Sequence, residues 1–216
     1  MSFTQVLKSL IKSILPIILI LSLCACSQSQ TPEFSSTPSG TIEGITFCET
    51  DEETNYFKLE MSNGDLILFE IYPHFAPETC ANFKNLVAQK FYDGIIFHRV
   101  IENFMIQTGD PTGTGSGGSS TKIKGEFLAN GFNNVLSHSR GVISMARLGN
   151  PYYDSASSQF FICHADVFNL DGQYAAFGKV IAGMDTVDKI AAVKTVNNRP
   201  KKNQTMSSIR FITIEK

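Results

Sequence analysis

Residues 97–110 read Phe-His-Arg-Val-Ile-Glu-Asn-Phe-Met-Ile-Gln-Thr-Gly-Asp, and residues 158–163 read Ser-Gln-Phe-Phe-Ile-Cys. Together they supply Arg99, Phe104, Met105, Gln107, Gln159 and Phe161: one cation, two amides and three large apolar groups. The set contains no nucleophile beside a base, no acid/base pair and no metal cluster. It suits another task, in which an apolar pocket holds a proline ring while a cation reaches the imide nitrogen. Unaided, an X-Pro bond rotates in tens to hundreds of seconds, because the imide must lose its resonance. In the twisted state the nitrogen becomes pyramidal and regains a lone pair. A guanidinium placed there binds the twisted form better than the planar one, and only such differential binding accelerates a step. One charge-assisted hydrogen bond is worth roughly 1.5–3 kcal/mol, or about one to two orders of magnitude in rate. Apolar surroundings add to this, since the twisted amide has less charge separation. This chemistry requires no cofactor.

Strands and turns must position these groups. Period-two alternation puts Gln159 and Phe161 on one face of a strand, with Phe160 and Ile162 on the other. The same rule pairs Met105 with Gln107. Upstream, Phe57 to Met61 and Leu66 to Ile71 flank Asn63-Gly64, a strong hairpin signal because both turn residues tolerate positive φ. Ala76-Pro77-Glu78-Thr79 begins a helix, with proline in its first turn and an early acid. Phe83, Leu86 and Val87 mark its buried face. A second helix is predicted over 184–193, with Met184, Val187, Ile190 and Ala191 on one side. Short strands separated by Gly, Asn and Ser lie between the helices. The economical reading is mainly β: an antiparallel sheet with two covering helices.

Phe-His-Arg followed by Phe-Met-x-Gln, with Ser-Gln-Phe-Phe downstream, resembles the cyclophilin-type peptidyl-prolyl cis-trans isomerases, and the resemblance covers about residues 55–216. It implies a closed eight-stranded barrel capped by two helices. It also implies Arg99 and Gln107 as catalytic residues, with Gln159 helping to orient substrate and arginine. Phe104, Met105, Phe161 and Leu170 match the walls of the proline pocket, and Tyr174 stands where many members have a pocket histidine. Ala146 and Arg147 match the short strand that pairs with bound peptide; the family often has asparagine where Arg147 stands. Asn169 occupies the place of a tryptophan that supports cyclosporin binding, and the chain has no tryptophan. Weak inhibition by that drug is therefore expected. The family implies proline-containing polypeptides as substrates, and a monomer is expected.

Other chemistries fit less well. Gly113 to Gly118 formally matches G-x-G-x-x-G, but another small polar run follows it where dinucleotide binding needs a helix. In the family a mobile Gly-rich rim lies here. His98 reads as structural, and His74, His138 and His164 show no metal-ligand pattern with the cysteines. Cys163 reads as buried and unreactive; a Cys48–Cys80 pairing is open. Ser, His and Asp are present for a hydrolase, but no nucleophile-elbow spacing appears. A non-catalytic proline-peptide binder or holdase using the same groove is the alternative to an isomerase. It has no need of a cation at the imide nitrogen.

The front of the chain concerns location. Lys8 and Lys12 precede an apolar run from Ile14 to Leu23, the length of a secretory h-region and short for a membrane span. Leu23-Cys24-Ala25-Cys26 then resembles a bacterial lipobox, with Cys26 as the lipid acceptor. Ordinary signal cleavage and an uncleaved anchor are the alternatives. Residues 1–25 read as a lipoprotein signal peptide, and 26–54 as lipid-bearing cysteine plus flexible tether. The Ser/Thr/Gln/Pro-rich part cannot bury enough apolar surface to order itself; as a coil the tether reaches roughly 30 Å. Residues 41–48 are either an extra strand or an extended lead-in. The chain has 18 Lys+Arg and 20 Asp+Glu; cleavage removes two lysines and no acid, so the net charge moves from −2 to −4. A mildly acidic protein has no electrostatic case for nucleic acid. Membrane attachment would rest on lipid, outside the cytoplasm.

Overall fold

A computed structural model describes residues 39–215. The leader, Cys26 and residues 27–38 of the tether region lie outside them.

The central hairpin forms where Asn63-Gly64 predicts it. β3 (Tyr56–Met61) pairs with β4 (Leu66–Ile71), Tyr56 facing Glu70 and Glu60 facing Leu66. Its loop is longer than a two-residue turn. Only Gly64 takes positive φ (85°), with its N–H donating to Met61 O, while Met61 N–H donates to Asp65 O. Asn63 instead accepts the Asp65 N–H through its side chain at 3.2 Å. A glycine-bulge turn thus replaces the primed turn.

Helix α1 (Pro77–Ala88) buries Cys80, Phe83, Leu86 and Val87. No local side chain caps its start. The buried Glu126 carboxylate does so from a distance, accepting the N–H groups of Glu78 (2.9 Å) and Thr79 (2.8 Å). That satisfies two orphan donors and places a negative charge at the positive end of the helix. Helix α2 (Met184–Ala191) ends two residues short of the predicted limit and buries Val187, Ile190 and Ala191.

The remaining strands are β1 (Gly40–Ile42), β2 (Ile45–Glu49), β5 (Arg99–Ile101), β6 (Met105–Thr108), β7 (Val142–Met145), β8 (Phe160–Cys163), β9 (Ala176–Ala182), β10 (Thr195–Val196), β11 (Arg199–Pro200) and β12 (Met206–Ile214). The main sheet runs β1-β2-β12-β3-β4-β9-β7-β8-β6-β5. The eight strands from β12 to β5 close upon themselves. The segment entering β5 bonds the segment entering β12, through an Ile96/Thr205 bridge and the Phe97 N–H to Gln204 O bond at 2.9 Å. This is the expected mainly β, eight-stranded barrel with two helices.

Its interior is aromatic. Phe57, Phe69, Phe83, Phe160 and Phe177 are all fully buried. Phe160 and Ile162 belong to this interior cluster, whereas Phe161 and Cys163 join a separate cluster outside it with Met105. The period-two reading of both strands therefore holds.

Residues 41–48 are strands, and the folded part begins well before the boundary drawn at residue 55. β2 lies against the end of β12, Glu49 facing Ile212 and Phe47 facing Ile214. The physical reason is apolar: Phe47 is buried against Leu68, Ala182 and Ile212. β2 also covers β12 edge that would otherwise be open for pairing. Residues 40–49 are consequently not flexible tether. Their signal was Glu43-Gly44 between Ile42 and Ile45; both turn residues take positive φ, 50° and 81°.

Candidate active site

Arg99 opens β5, Met105 and Gln107 lie on β6, and antiparallel pairing puts Arg99 opposite Gln107. On the far side β8 pairs with β6, so Phe161 faces Gln107 and Cys163 faces Met105. Nine of the ten residues picked from sequence line one cavity of about 300 Å³: Arg99, Phe104, Met105, Gln107, Ala146, Arg147, Phe161, Leu170 and Tyr174. Gln159, the tenth, stands behind Gln107. Met105, Phe161 and Leu170 are buried, while Arg99 remains exposed. The cavity is therefore apolar inside with a cation at its mouth.

A relay of hydrogen bonds holds that cation. Arg99 Nη1 donates to Gln107 Oε1 (3.1 Å), Gln107 Nε2 donates to Gln159 Oε1 (2.9 Å), and Gln159 Nε2 donates to Gly115 O (3.0 Å) and Gly117 O (2.7 Å). Arg99 also lies 5.9 Å from the Phe104 ring centroid, within cation–π range. The Gly-rich rim thus has a definite anchor. Asp110, fully buried, accepts N–H groups of Thr112 (2.8 Å), Gly115 (2.6 Å) and Gly117 (3.1 Å). Burial alone would raise its pKa; the Thr112 hydroxyl and these amides outweigh it and hold it at about 2.

Gly117 has to be glycine here, since a Cβ would sit 2.1 Å from Asp110 Oδ1. Gly117→Ala is expected to displace the loop, free Gln159 and loosen Arg99. Isomerisation should fall roughly ten- to a hundredfold, the usual scale for misplacing a reacting group by about 1 Å. Peptide exchange rates measured beside a thermal melt check this; full activity in the variant would show that the relay does not position Arg99.

The Arg147 side chain packs among three rings. Its guanidinium lies 4.8 Å from the Tyr174 ring, 5.1 Å from Phe127 and 5.2 Å from Tyr153. It donates to Gln173 O (2.9 Å), Leu148 O (2.8 Å) and Asn150 Oδ1 (3.0 Å). The side chain thereby fixes Tyr174 and one cavity wall. The Ala146 N–H already donates to Gln159 O at 2.9 Å, so the strand edge beyond β7 begins at Arg147.

Sequence reasoning missed His138, Ser144 and Asp171 as a unit. His138 Nδ1 lies 2.8 Å from Asp171 Oδ1, and Nε2 lies 3.0 Å from Ser144 Oγ. The order resembles a hydrolase triad, yet Ser144 and His138 are fully buried. No substrate carbonyl reaches the serine. The imidazole instead lies nearly parallel to Phe161, with centroids 6.1 Å apart, and Ser144 faces Phe161 across the β7–β8 ladder. The triad therefore braces the pocket's aromatic wall from beneath. No local motif links residues 138, 144 and 171, so only the folded chain reveals it.

Burial lowers the pKa of His138, although Asp171 opposes the shift, and burial likewise lowers that of His98. Both imidazoles are therefore held neutral in the folded state. The unfolded chain takes up their protons as pH falls through about 6.5. Folding stability is full above that pH and declines below it toward the folded values. Asp110 adds a second loss, from about pH 4 down toward its folded value of about 2. Thermal melts should thus be level near pH 7.5 and fall in two stages on acidification, the first smaller in His138→Gln. An unchanged melting temperature between about pH 7.5 and 5 would contradict this.

Cys80 and Cys163 are buried thiols, each pushed up to about 12 by burial, which makes them poor nucleophiles.

Comparison with known proteins agrees with this geometry. Residues 56–211 match the family model described as cyclophilin type peptidyl-prolyl cis-trans isomerase/CLD. A peptidyl-prolyl cis-trans isomerase-like 1 of Gibberella zeae is 46% identical over 143 residues, 66% of this chain and 85% of that protein. A cyclophilin type isomerase structure from Cryptosporidium parvum aligns with TM-score 0.66 and 31% identity, over 75% of this chain and 98% of that one. A second structure of it, in the presence of the dipeptide Ala-Pro, aligns at 0.64 with 31% identity, over 72% of this chain and 97% of that one. With its barrel, its arginine-mouthed apolar cavity and this match, the chain belongs to the cyclophilin-type peptidyl-prolyl cis-trans isomerases.

Proposed function

We propose that the protein accelerates X-Pro rotation in exported polypeptides, with Arg99 donating to the twisted imide nitrogen. The observation that carries this is one cavity of about 300 Å³ whose buried wall is Met105, Phe161 and Leu170 and whose mouth holds Arg99. The proline ring enters the apolar end. The flanking peptide lies along the edge starting at Arg147, and Gln107 fixes the guanidinium. Rotation then transfers no proton and forms no covalent bond. The arginine acts by stabilising the pyramidal nitrogen more than the planar one. The test is a client protein whose refolding is limited by a proline isomerisation of tens of seconds. Catalytic amounts should shorten that phase, and an unaltered phase at matched concentrations would contradict the reading.

The place of action is part of the proposal and rests on the front of the chain. Lys8 and Lys12, the apolar run and Leu23-Cys24-Ala25-Cys26 support export, cleavage before Cys26 and attachment through lipid on that cysteine. Cys26→Ser should move the protein from the membrane fraction to the soluble extracytoplasmic fraction and abolish palmitate labelling. Retention of both would overturn the anchor.

A further inference from the structure

A second cleft of about 700 Å³ adjoins the proline cavity and shares Arg99 and Gln107 with it. Its outer wall is the β10–β11 hairpin. Asn197 and Asn198 both take positive φ at its two-residue turn, 50° and 64°, a turn geometry that asparagine tolerates. The hairpin is tied down at two points, and a third bond joins its own arms. Val100 N–H donates to Asn198 O (2.7 Å) and Arg199 Nη1 to Gly113 O (2.6 Å), while Lys201 N–H to Lys194 O (2.9 Å) joins the arms.

The charges in this cleft are of one sign. Arg99, Arg199 and Lys201 line it, and among the described residues no carboxylate does. The nearby acid, Asp110, is fully buried and turned toward the loop amides. A chain with net charge −2 thus gathers three cations beside its reaction cavity. His98 also lines the cleft; it is only 6% exposed, with the Gln159 side chain beside its ring.

We propose that this cleft receives the carboxylate of an aspartate or glutamate flanking the substrate's proline, so that the enzyme prefers acidic proline segments. Its charged side chains, Arg99, Arg199 and Lys201, are all donors to an anion, and Gln107, Thr114, Asn197 and Asn198 add only neutral polar groups. An acid within about three residues of the proline reaches it, since extended chain spans roughly 3.3–3.6 Å per residue. The inference rests on the proline cavity being the reaction site.

The test uses the full chain and fluorescent Ala-Pro peptides carrying Glu, or Gln as its uncharged isostere, at each of the three positions either side of the proline. Binding is read by anisotropy and exchange by NMR. At the position that reaches the cleft, Glu should bind about two- to fivefold tighter than Gln for each cation engaged. The ratio should shrink as salt shortens the screening length. It should approach one in the double variant Lys201→Glu/Arg199→Gln, and be clearly reduced in Lys201→Ala alone. Equal affinity for Glu and Gln at all positions would overturn the proposal. A Glu preference that survives the double variant would do the same, because the acid would then be read elsewhere. Failure of the isomerase reading looks different: no peptide would exchange, whatever its Glu/Gln ratio in binding.

Discussion

Arg99→Ala is expected to slow catalysed X-Pro exchange about ten- to a hundredfold while an Ala-Pro peptide still binds. The magnitude is that of one charge-assisted hydrogen bond, roughly 1.5–3 kcal/mol, converted to rate at about 1.36 kcal/mol per factor of ten. Binding should survive because the apolar end of the cavity, with Met105, Phe161 and Leu170, does not depend on the arginine. Stability should hardly change, since Arg99 is exposed and exposed substitutions usually stay within about 0.5 kcal/mol. Arg99→Lys should recover only part of the rate. Lysine keeps the charge but loses the planar fork that bonds Gln107 at 3.1 Å. Exchange kinetics beside a binding isotherm check all three statements. Equal rates in wild type and Arg99→Ala would remove the guanidinium from the chemistry.

Phe83→Ala should produce the largest loss of stability. The Phe83 ring lies 5.3 Å from those of Phe57, Tyr92 and Phe177, 5.6 Å from Phe160 and 5.9 Å from Phe69. It joins α1 to the barrel interior and is fully buried. Truncating a buried phenylalanine costs about 3–5 kcal/mol, because the transfer and cavity costs add. For a domain of this size each kilocalorie shifts the melting temperature by about 2–4 °C, so a fall of roughly 6–20 °C is expected. A fall under about 2 °C would mean that the surrounding rings collapse into the space and that α1 is held by other contacts.

The two variants mark what could be read from the chain and what could not. Phe83 was legible because helical spacing is local, as was the Phe160/Phe161 alternation that sorts core from cavity. Arg99, Gln107 and Gln159 were legible through their motif, although nothing in the spacing shows that the three amide and guanidinium groups bond in sequence. The supports were hidden because they join distant segments. Glu126 caps a helix that begins 49 residues earlier, at Pro77. The His138–Asp171 contact spans 33 residues, and barrel closure depends on the Ile96/Thr205 bridge. Arg147 likewise needed the folded chain, since its three aromatic neighbours come from Phe127, Tyr153 and Tyr174. Residues 41–48 stay open in the sequence because Glu43-Gly44 is a weaker turn signal than Asn-Gly. Their partner strand β12 also lies at the other end of the chain.

The most direct measurement is exchange NMR on one Ala-Pro peptide, with the wild-type protein at a small fraction of the peptide concentration. If Arg99 stabilises the twisted imide, cis and trans resonances should interconvert far faster than the spontaneous tens-of-seconds process, in proportion to protein added. Binding shifts without any acceleration would contradict catalysis and leave a proline-peptide binding module on the same barrel.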